Sequence, residues 1–429
     1  MIDDQIEVNI AGGLDIPLPQ MVKVRVNFEA PRIENVVQAV VEQFKREEIR
    51  KKIKPGSSIA VGCGSRGVTN IAAITKAVVS EIKALGGRPF IFPAMGSHGA
   101  ATAAGQRQVL ENYGITEDHA GCPIRSTLET QEIGALDDGT PIHIDQYACD
   151  ADGIVLINRI KPHTNFRASI ESGIVKMMAI GMGKIKGATM LHTHGFGAFG
   201  DLMPQAAHFI MNKLPFLFGM GIVENALHET AILKIIPAES LIEEEAGLQR
   251  RSKELMGRLL FDMIDVLVIE EIGKDISGAG FDPNITGRNN RFIEWKGPLV
   301  KKIVLLNLSA ETHGNATGVG LADVITMELY RKMDISATYT NTITSTYLDS
   351  ASIPLIMNTE QEAIQLAAKT LVGVRPEDCR IVCIKNTREL SEIMVSEPML
   401  AKVRKHPLME AVTRPGPFNF DSQGNLSFI

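Results

Sequence analysis

Apolar and polar positions along the chain follow two periods. Short, nearly continuous apolar runs of strand length occur at Ser58–Gly62 (SIAVG), Pro89–Phe92 (PFIF) and Gly153–Asn158 (GIVLIN). After the first run, apolar residues recur every three to four positions at Ile71, Ile74, Val78, Val79, Ile82 and Leu85, which predicts a helix over 70–86. Further helices are predicted over 34–52, 102–112 and 239–260. Strands apolar on both faces, alternating with helices, read as a parallel sheet covered on both sides. A second series begins near Asp265: VLVIEEIG, KIVLLNL (302–308) and RIVCIKNT (380–387) read as strands, with helices over 319–334 and 359–371. The run TYTNTITST (338–346) offers hydroxyl and amide groups to a polar site, or is no more than an edge strand. The expected fold class is α/β, with two α/β domains, largely parallel sheets and an active site in the cleft between them. The expected boundaries are 1–262 for the N-terminal domain and 263–399 for a smaller C-terminal domain, with the tail 400–429 able to return to the first.

Composition narrows the class. A chain of 429 residues with 45% hydrophobic and 22% charged residues is an ordinary globular protein. The net charge of −6, without a long basic run, argues against nucleic acid or an anionic membrane as partner. Residues 1–20 lack a basic start followed by an apolar stretch, and no apolar run reaches membrane-spanning length, so a cytoplasmic protein is expected. The five cysteines form no C-x-x-C pair, which fits a reducing compartment. An oligomer is compatible with all of this.

The chemistry concentrates at strand ends, where open α/β sheets bind ligands. Arg66 lies in CGSRG, His98 in GSHG, and Lys161 and His163 in KPHTN, each after one of the first three strands. A guanidinium suits bidentate recognition of a carboxylate or phosphate. Two histidines held across a site suit acid and base work near neutral pH. If the three strands are neighbours, the groups converge. The stretch from Ile160 to Gly195 also holds His192 and His194, rich in lysine and glycine, and an H-x-H pair in an extended segment could share a metal. Lys176 sits in an apolar helical run, as a snorkelling residue or a desolvated nucleophile; composition does not separate it from Lys184 or Lys186. Two polar loops, 273–288 and 311–324, follow successive strands of the second series.

At these residues the chain resembles the nickel-pincer cofactor-dependent lactate racemases and their relatives. Arg66 resembles the family's substrate-carboxylate arginine, and His98 and His163 its acid/base pair. Ser172-Gly173-x-x-Lys176, followed by Gly181, resembles the segment whose lysine carries the cofactor, and His192, sixteen residues after Lys176, falls where the family places its nickel-ligating histidine. Ile174 and Ile180 stand where the family has glycine and proline, and Cys63 where it has an aspartate. Lys274 and Arg288 are the candidates for C-terminal substrate residues.

The resemblance implies a 2-hydroxy acid racemase or epimerase using proton-coupled hydride transfer. It implies a nickel-pincer nucleotide (a pyridinium-3,5-bisthiocarboxylic acid mononucleotide with nickel) attached at Lys176, and cofactor-assembly enzymes as partners. The polar second-domain loops favour a longer or more polar acid than lactate. Two other readings stand beside it. GCGSRG (62–67) formally fits the G-x-G-x-x-G of a nicotinamide-dependent dehydrogenase, but no acidic strand-end residue follows at the required distance. The third is a non-catalytic binding or sensor homologue.

Overall fold

The computed structural model describes residues 5–65, 67–289 and 297–427. By compactness the chain divides into residues 29–256 and a second unit of 257–429 together with 1–28.

The unit 29–256 is built on a five-stranded sheet. Its order is Arg88–Pro93, Ser58–Cys63, Gly153–Arg159, Phe216–Glu224 and Thr230–Pro237. The first four are parallel and the last is an antiparallel edge. The three strands that the apolar runs predict are therefore direct neighbours. Their carboxyl ends are level, since Cys63 lies opposite both Pro93 and Ile157. Alternate residues feed two cores. Ala60, Phe92 and Leu156 pack towards helices Phe199–Lys213 and Leu241–Leu255, while Val61, Ile91 and Ile157 pack towards helices Val36–Phe44 and Ile71–Ala84. A small hairpin, Thr130–Ala135 with Pro141–Asp145, lies outside the main sheet.

The other unit carries an eight-stranded mixed sheet. The strands Leu355–Met357, Val324–Thr326, Leu299–Leu308, Met263–Ile272 and Ile381–Ile384 are parallel, and Glu392–Ser396, Met21–Val26 and Met409–Ala411 continue it antiparallel. The pairing of Met21–Val26 between two C-terminal strands is what joins residues 1–28 to this unit. The expected edge strand at 338–346 is instead part of helix Ile335–Thr344. Asp334 caps it, accepting from the Ala337 N–H at 2.9 Å, and the residues it buries, Thr338 and Thr342, are four apart. That spacing of buried positions overrides the β-propensity of the threonines. The expected helix over 319–334 is broken into a turn at Val319–Leu321, the strand Val324–Thr326 and a short helix, Met327–Lys332, because Thr326 accepts from the Leu329 N–H and starts the helix there. Among the described residues no helix is long and apolar enough to cross a membrane.

Asp265, wholly buried on the strand Met263–Ile272, ties neighbouring strands together. It accepts from Arg380 at 2.7 and 2.9 Å and from Lys301 at 2.8 Å. Burial pushes its carboxyl up, but the bonds from Arg380 and Lys301 outweigh this and hold it at about 2. A depressed acid stabilises the fold above its unfolded value and loses that contribution as pH falls through the folded one. We expect this unit to lose about 2 kcal/mol between pH ~4 and pH ~2. Asp265→Asn should remove that pH dependence in denaturation titrations; an unchanged acid slope would count against the assignment.

Candidate active site

The loops leaving the three level strand ends meet the buried segment that begins at Gly173. The Asn158 amide, at the end of its strand, donates to the Gly173 carbonyl at 2.7 Å. A helical turn, Ile174–Lys176, follows and runs into a π-helical turn, Met177–Gly181. Such π turns recur at functional sites because they shift the facing of the residues around them. Glu245, fully buried on helix Leu241–Leu255, accepts from the N–H groups of Ile174 and Val175 at 3.1 Å each and so satisfies the turn that carries Lys176. At the far end the Gly96 N–H donates to the Gly181 carbonyl at 3.0 Å. Gly181 is required there, since a Cβ would stand 2.5 Å from the Ala94 carbonyl oxygen. The loop of His98 is thus docked on the turn of Lys176.

His98 is exposed and its ring is oriented from behind. Its Nδ1 lies 2.8 Å from the Met95 carbonyl and 2.9 Å from Ser65 Oγ. A carbonyl only accepts, so Nδ1 carries the proton and Nε2 is the accepting nitrogen. His163 is held in the opposite tautomer. The Asn165 N–H donates to its Nδ1 at 3.0 Å, which leaves the proton of the neutral ring on Nε2. Its loop is clasped by Glu171, which is completely buried. Glu171 accepts from the His163 N–H at 2.9 Å, from Arg167 at 3.1 Å and from Lys253 at 2.5 Å. Burial, then the charges of Lys176 and Lys161, His192 and Arg167, hold His163 well below the usual histidine range. It is neutral at physiological pH.

His192 ends the helix Lys184–His192 and is not in an extended segment. Burial first, then Lys176, lower its pKa, so its ring too favours the neutral form with a lone pair to offer. His163 and His192 flank a cluster of phenylalanines. Phe196 lies 5.8 Å from His163 and 5.6 Å from His192, Phe166 lies 4.6 Å from His163, and Phe199 lies 5.1 Å from His192. The structure therefore gathers His163, Lys176 and His192, with Ser172 and Gly173 at the entry to the same segment. His194 points elsewhere, its Nε2 2.9 Å from Thr140 Oγ1. Arg66 lies outside the described residues; its neighbour Ser65 contacts His98.

Lys184 differs from Lys176 in a way that composition could not reveal: it is completely buried and pairs with Asp145 at 3.0 Å. In the second unit the two polar loops do come together. Lys274 Nζ donates to Gly278 O at 2.6 Å and to Asn341 Oδ1 at 2.8 Å, and Thr317 Oγ1 donates to the same Asn341 oxygen at 3.0 Å. Arg288 is engaged structurally by Asp323 at 2.5 Å and by the carbonyls of Leu321, Val300 and Lys301. Its guanidinium is satisfied by the protein, so it does not suit substrate recognition. Sequence reasoning also missed Glu171, Glu245 and the three phenylalanines. Only the spacing of Phe196 and Phe199 among glycines offered a signal.

The glycines of GCGSRG have packing roles. A Cβ on Gly62 would meet Leu156 at 2.4 Å and Phe92 at 2.9 Å, and the following helix starts only at Ile71. A dinucleotide turn opens its helix directly, so the arrangement disfavours the dehydrogenase reading.

Burial raises the Glu245 carboxyl to about 8, against the two N–H bonds that lower it. The folded chain then holds a proton that the unfolded chain has released, so stability falls as pH rises from ~4.5 towards ~8. Glu245→Gln keeps an acceptor and should flatten that fall, while Glu245→Ala should cost about 1–3 kcal/mol by orphaning two buried N–H groups. Denaturation midpoints at pH 5 and pH 8 test this; parallel slopes in wild type and the Gln variant would refute it.

Residues 12–198 match the lactate racemase N-terminal domain family. The structure of the lactate racemase apoprotein from Thermoanaerobacterium thermosaccharolyticum is similar, with a TM-score of 0.53 and 12% identity, over 85% of this chain and 94% of that one. Comparison with curated proteins finds no match. At that identity the structural likeness speaks for the fold, and the domain match speaks for the N-terminal residues that carry the histidines and Lys176. Residues 12–198 thus match the lactate racemase N-terminal domain, and the chain shares the fold of that apoprotein.

Proposed function

We propose that the protein is a racemase or epimerase of a 2-hydroxy acid that works with a nickel-pincer nucleotide. The observation that carries the reading is the gathering of two neutral histidines, His163 and His192, around Lys176 and an aromatic cluster. The donor set fits such a group. Among the described residues no three His, Cys, Asp or Glu side chains come together as a metal site. His192 is a single neutral imidazole, suited to complete the coordination of an ion that arrives with its own donors. Lys176, on a turn braced by Glu245, is the residue for covalent attachment, with Ser172 and Gly173 beside it. Bound there, the group would supply a hydride acceptor and donor.

The chain's own residues would handle the rest. Arg66 would hold the substrate carboxylate. His98 offers Nε2 to accept the hydroxyl proton, and His163 offers the Nε2 proton to the oxygen on the other side, so the pair begins with one ring accepting and one donating. The positive charges around His163, which add to burial in keeping it neutral, also favour an anionic substrate. Phe166, Phe196 and Phe199 shield the space between His163 and His192 from water and strengthen each polar contact there. The polar loops 273–288 and 311–324 are the ground for expecting a longer, hydroxylated acid over lactate.

The direct test is the denatured intact mass of protein co-expressed with the cofactor-assembly enzymes. An added mass on the wild type, mapped to the Lys176 peptide and missing from Lys176→Ala, is expected. No adduct together with no nickel in the native protein would overturn the reading. In loaded protein, His98→Ala and His163→Ala should each slow loss of optical activity by about 10²–10⁴-fold. Aldonic acids should be turned over faster than lactate, and the reverse order would remove the substrate preference.

A further inference from the structure

We propose that Lys184 is a positioning residue that sets the loop of His98 against the Lys176–His192 segment, acting through the side-chain amide of Gln106. Lys184 follows the π turn and opens the helix that ends in His192. It holds a left-handed backbone conformation, φ 52°, which residues with a Cβ rarely adopt. Its ammonium is fully buried and makes three contacts on three different elements. They are the Pro93 carbonyl at the end of the strand before the His98 loop, Gln106 Oε1 at 3.0 Å on the helix after that loop, and Asp145 Oδ2 at 3.0 Å. The Asp145 N–H in turn donates to the Met182 carbonyl at 2.8 Å.

The chemistry of the donors gives this arrangement a direction. An ammonium can only donate, so the oxygen of the Gln106 amide must face Lys184. The NH₂ group of Gln106 must then face the other way, and there it donates to the Gly96 carbonyl at 2.9 Å and the His98 carbonyl at 3.3 Å. Gln106 is itself fully buried, so no water competes for the amide. The Lys184 ammonium on one side and the two carbonyls on the other therefore fix together which end of the buried amide meets the main chain of His98. A buried ion pair is weak as a source of stability, and apolar residues of similar size often serve a core as well or better. What an apolar replacement could not do is hold the oxygen end of Gln106.

The inference deepens the proposed function, but its test needs neither cofactor nor turnover. Gln106→Met keeps the volume and leaves Lys184 on Asp145 and Pro93, removing the Lys184–Gln106 bond together with the donations to Gly96 and His98. Lys184→Met combined with Asp145→Asn removes both charges while keeping Gln106. In the substrate-free full chain, we expect both variants to speed amide hydrogen exchange over 95–102 about tenfold relative to the sheet. The ring NMR signals of His98 should shift, while those of His163, held separately by Glu171, stay in place. Folded Gln106→Met with unchanged exchange over 95–102 and an unchanged His98 ring would overturn the proposal. So would equal shifts at His98 and His163, which would mark a general loosening. If the double variant does not fold, Gln106→Met alone decides. Failure of the racemase reading would appear in the adduct and turnover experiments and leave this result untouched.

Discussion

The buried segment from Gly173 to Met182 has to find partners for its backbone, and it finds them on strand ends, a loop and a helix. Asn158 takes the Gly173 carbonyl, Glu245 takes the N–H groups of Ile174 and Val175, Gly96 takes the Gly181 carbonyl, and the Asp145 N–H takes that of Met182. Buried peptide groups without partners are costly, so each bond is close to obligatory. Because the partners lie on different strands, a loop and a helix, satisfying one segment locks the others in place. The candidate site is a by-product of that requirement: Lys176 sits within the locked segment, and His98 and His163 lie on loops leaving the strands it touches.

Charge is managed in the same economical way. Burial disfavours a protonated ring at both His163 and His192, and the lysines, with Arg167 at His163, add to the effect, so both stay neutral. The acids that are present act on the backbone. Glu171 and Glu245 bind main-chain N–H groups, and Asp145 balances Lys184. A site built from neutral imidazoles and surplus positive charge suits an anionic substrate and a soft metal–ligand group, which is the combination the lactate racemase-like fold carries in the proposed reading.

Much of the fold was legible in the sequence where a signal was local. The strands at Ser58–Cys63, Arg88–Pro93 and Gly153–Arg159 are apolar on both faces, and the structure makes them neighbours with level ends. The elements that were missed depend on distant partners. The edge hairpin Phe216–Pro237 and the strand Met21–Val26 carry weaker patterns, and Met21–Val26 pairs with residues some 370 positions away. Helix Ile335–Thr344 was mistaken for a strand because its threonines favour β structure in isolation, and only burial of Thr338 and Thr342 on one face makes them helical.

By itself the sequence determined the residue types available for chemistry and their order along the chain: a histidine after each of two strands, Lys176 in its S-G-x-x-K setting, and His192 sixteen residues on. These follow from local pattern and spacing. Tertiary structure alone decided which nitrogen of each histidine carries the proton, because Met95 and Asn165 present an acceptor to one ring and a donor to the other. It alone separated Lys176 from Lys184, and it took Arg288 out of contention by surrounding it with acceptors. Protonation, burial and partnership are properties of neighbours in space, and a linear pattern holds no information about neighbours it does not bring together.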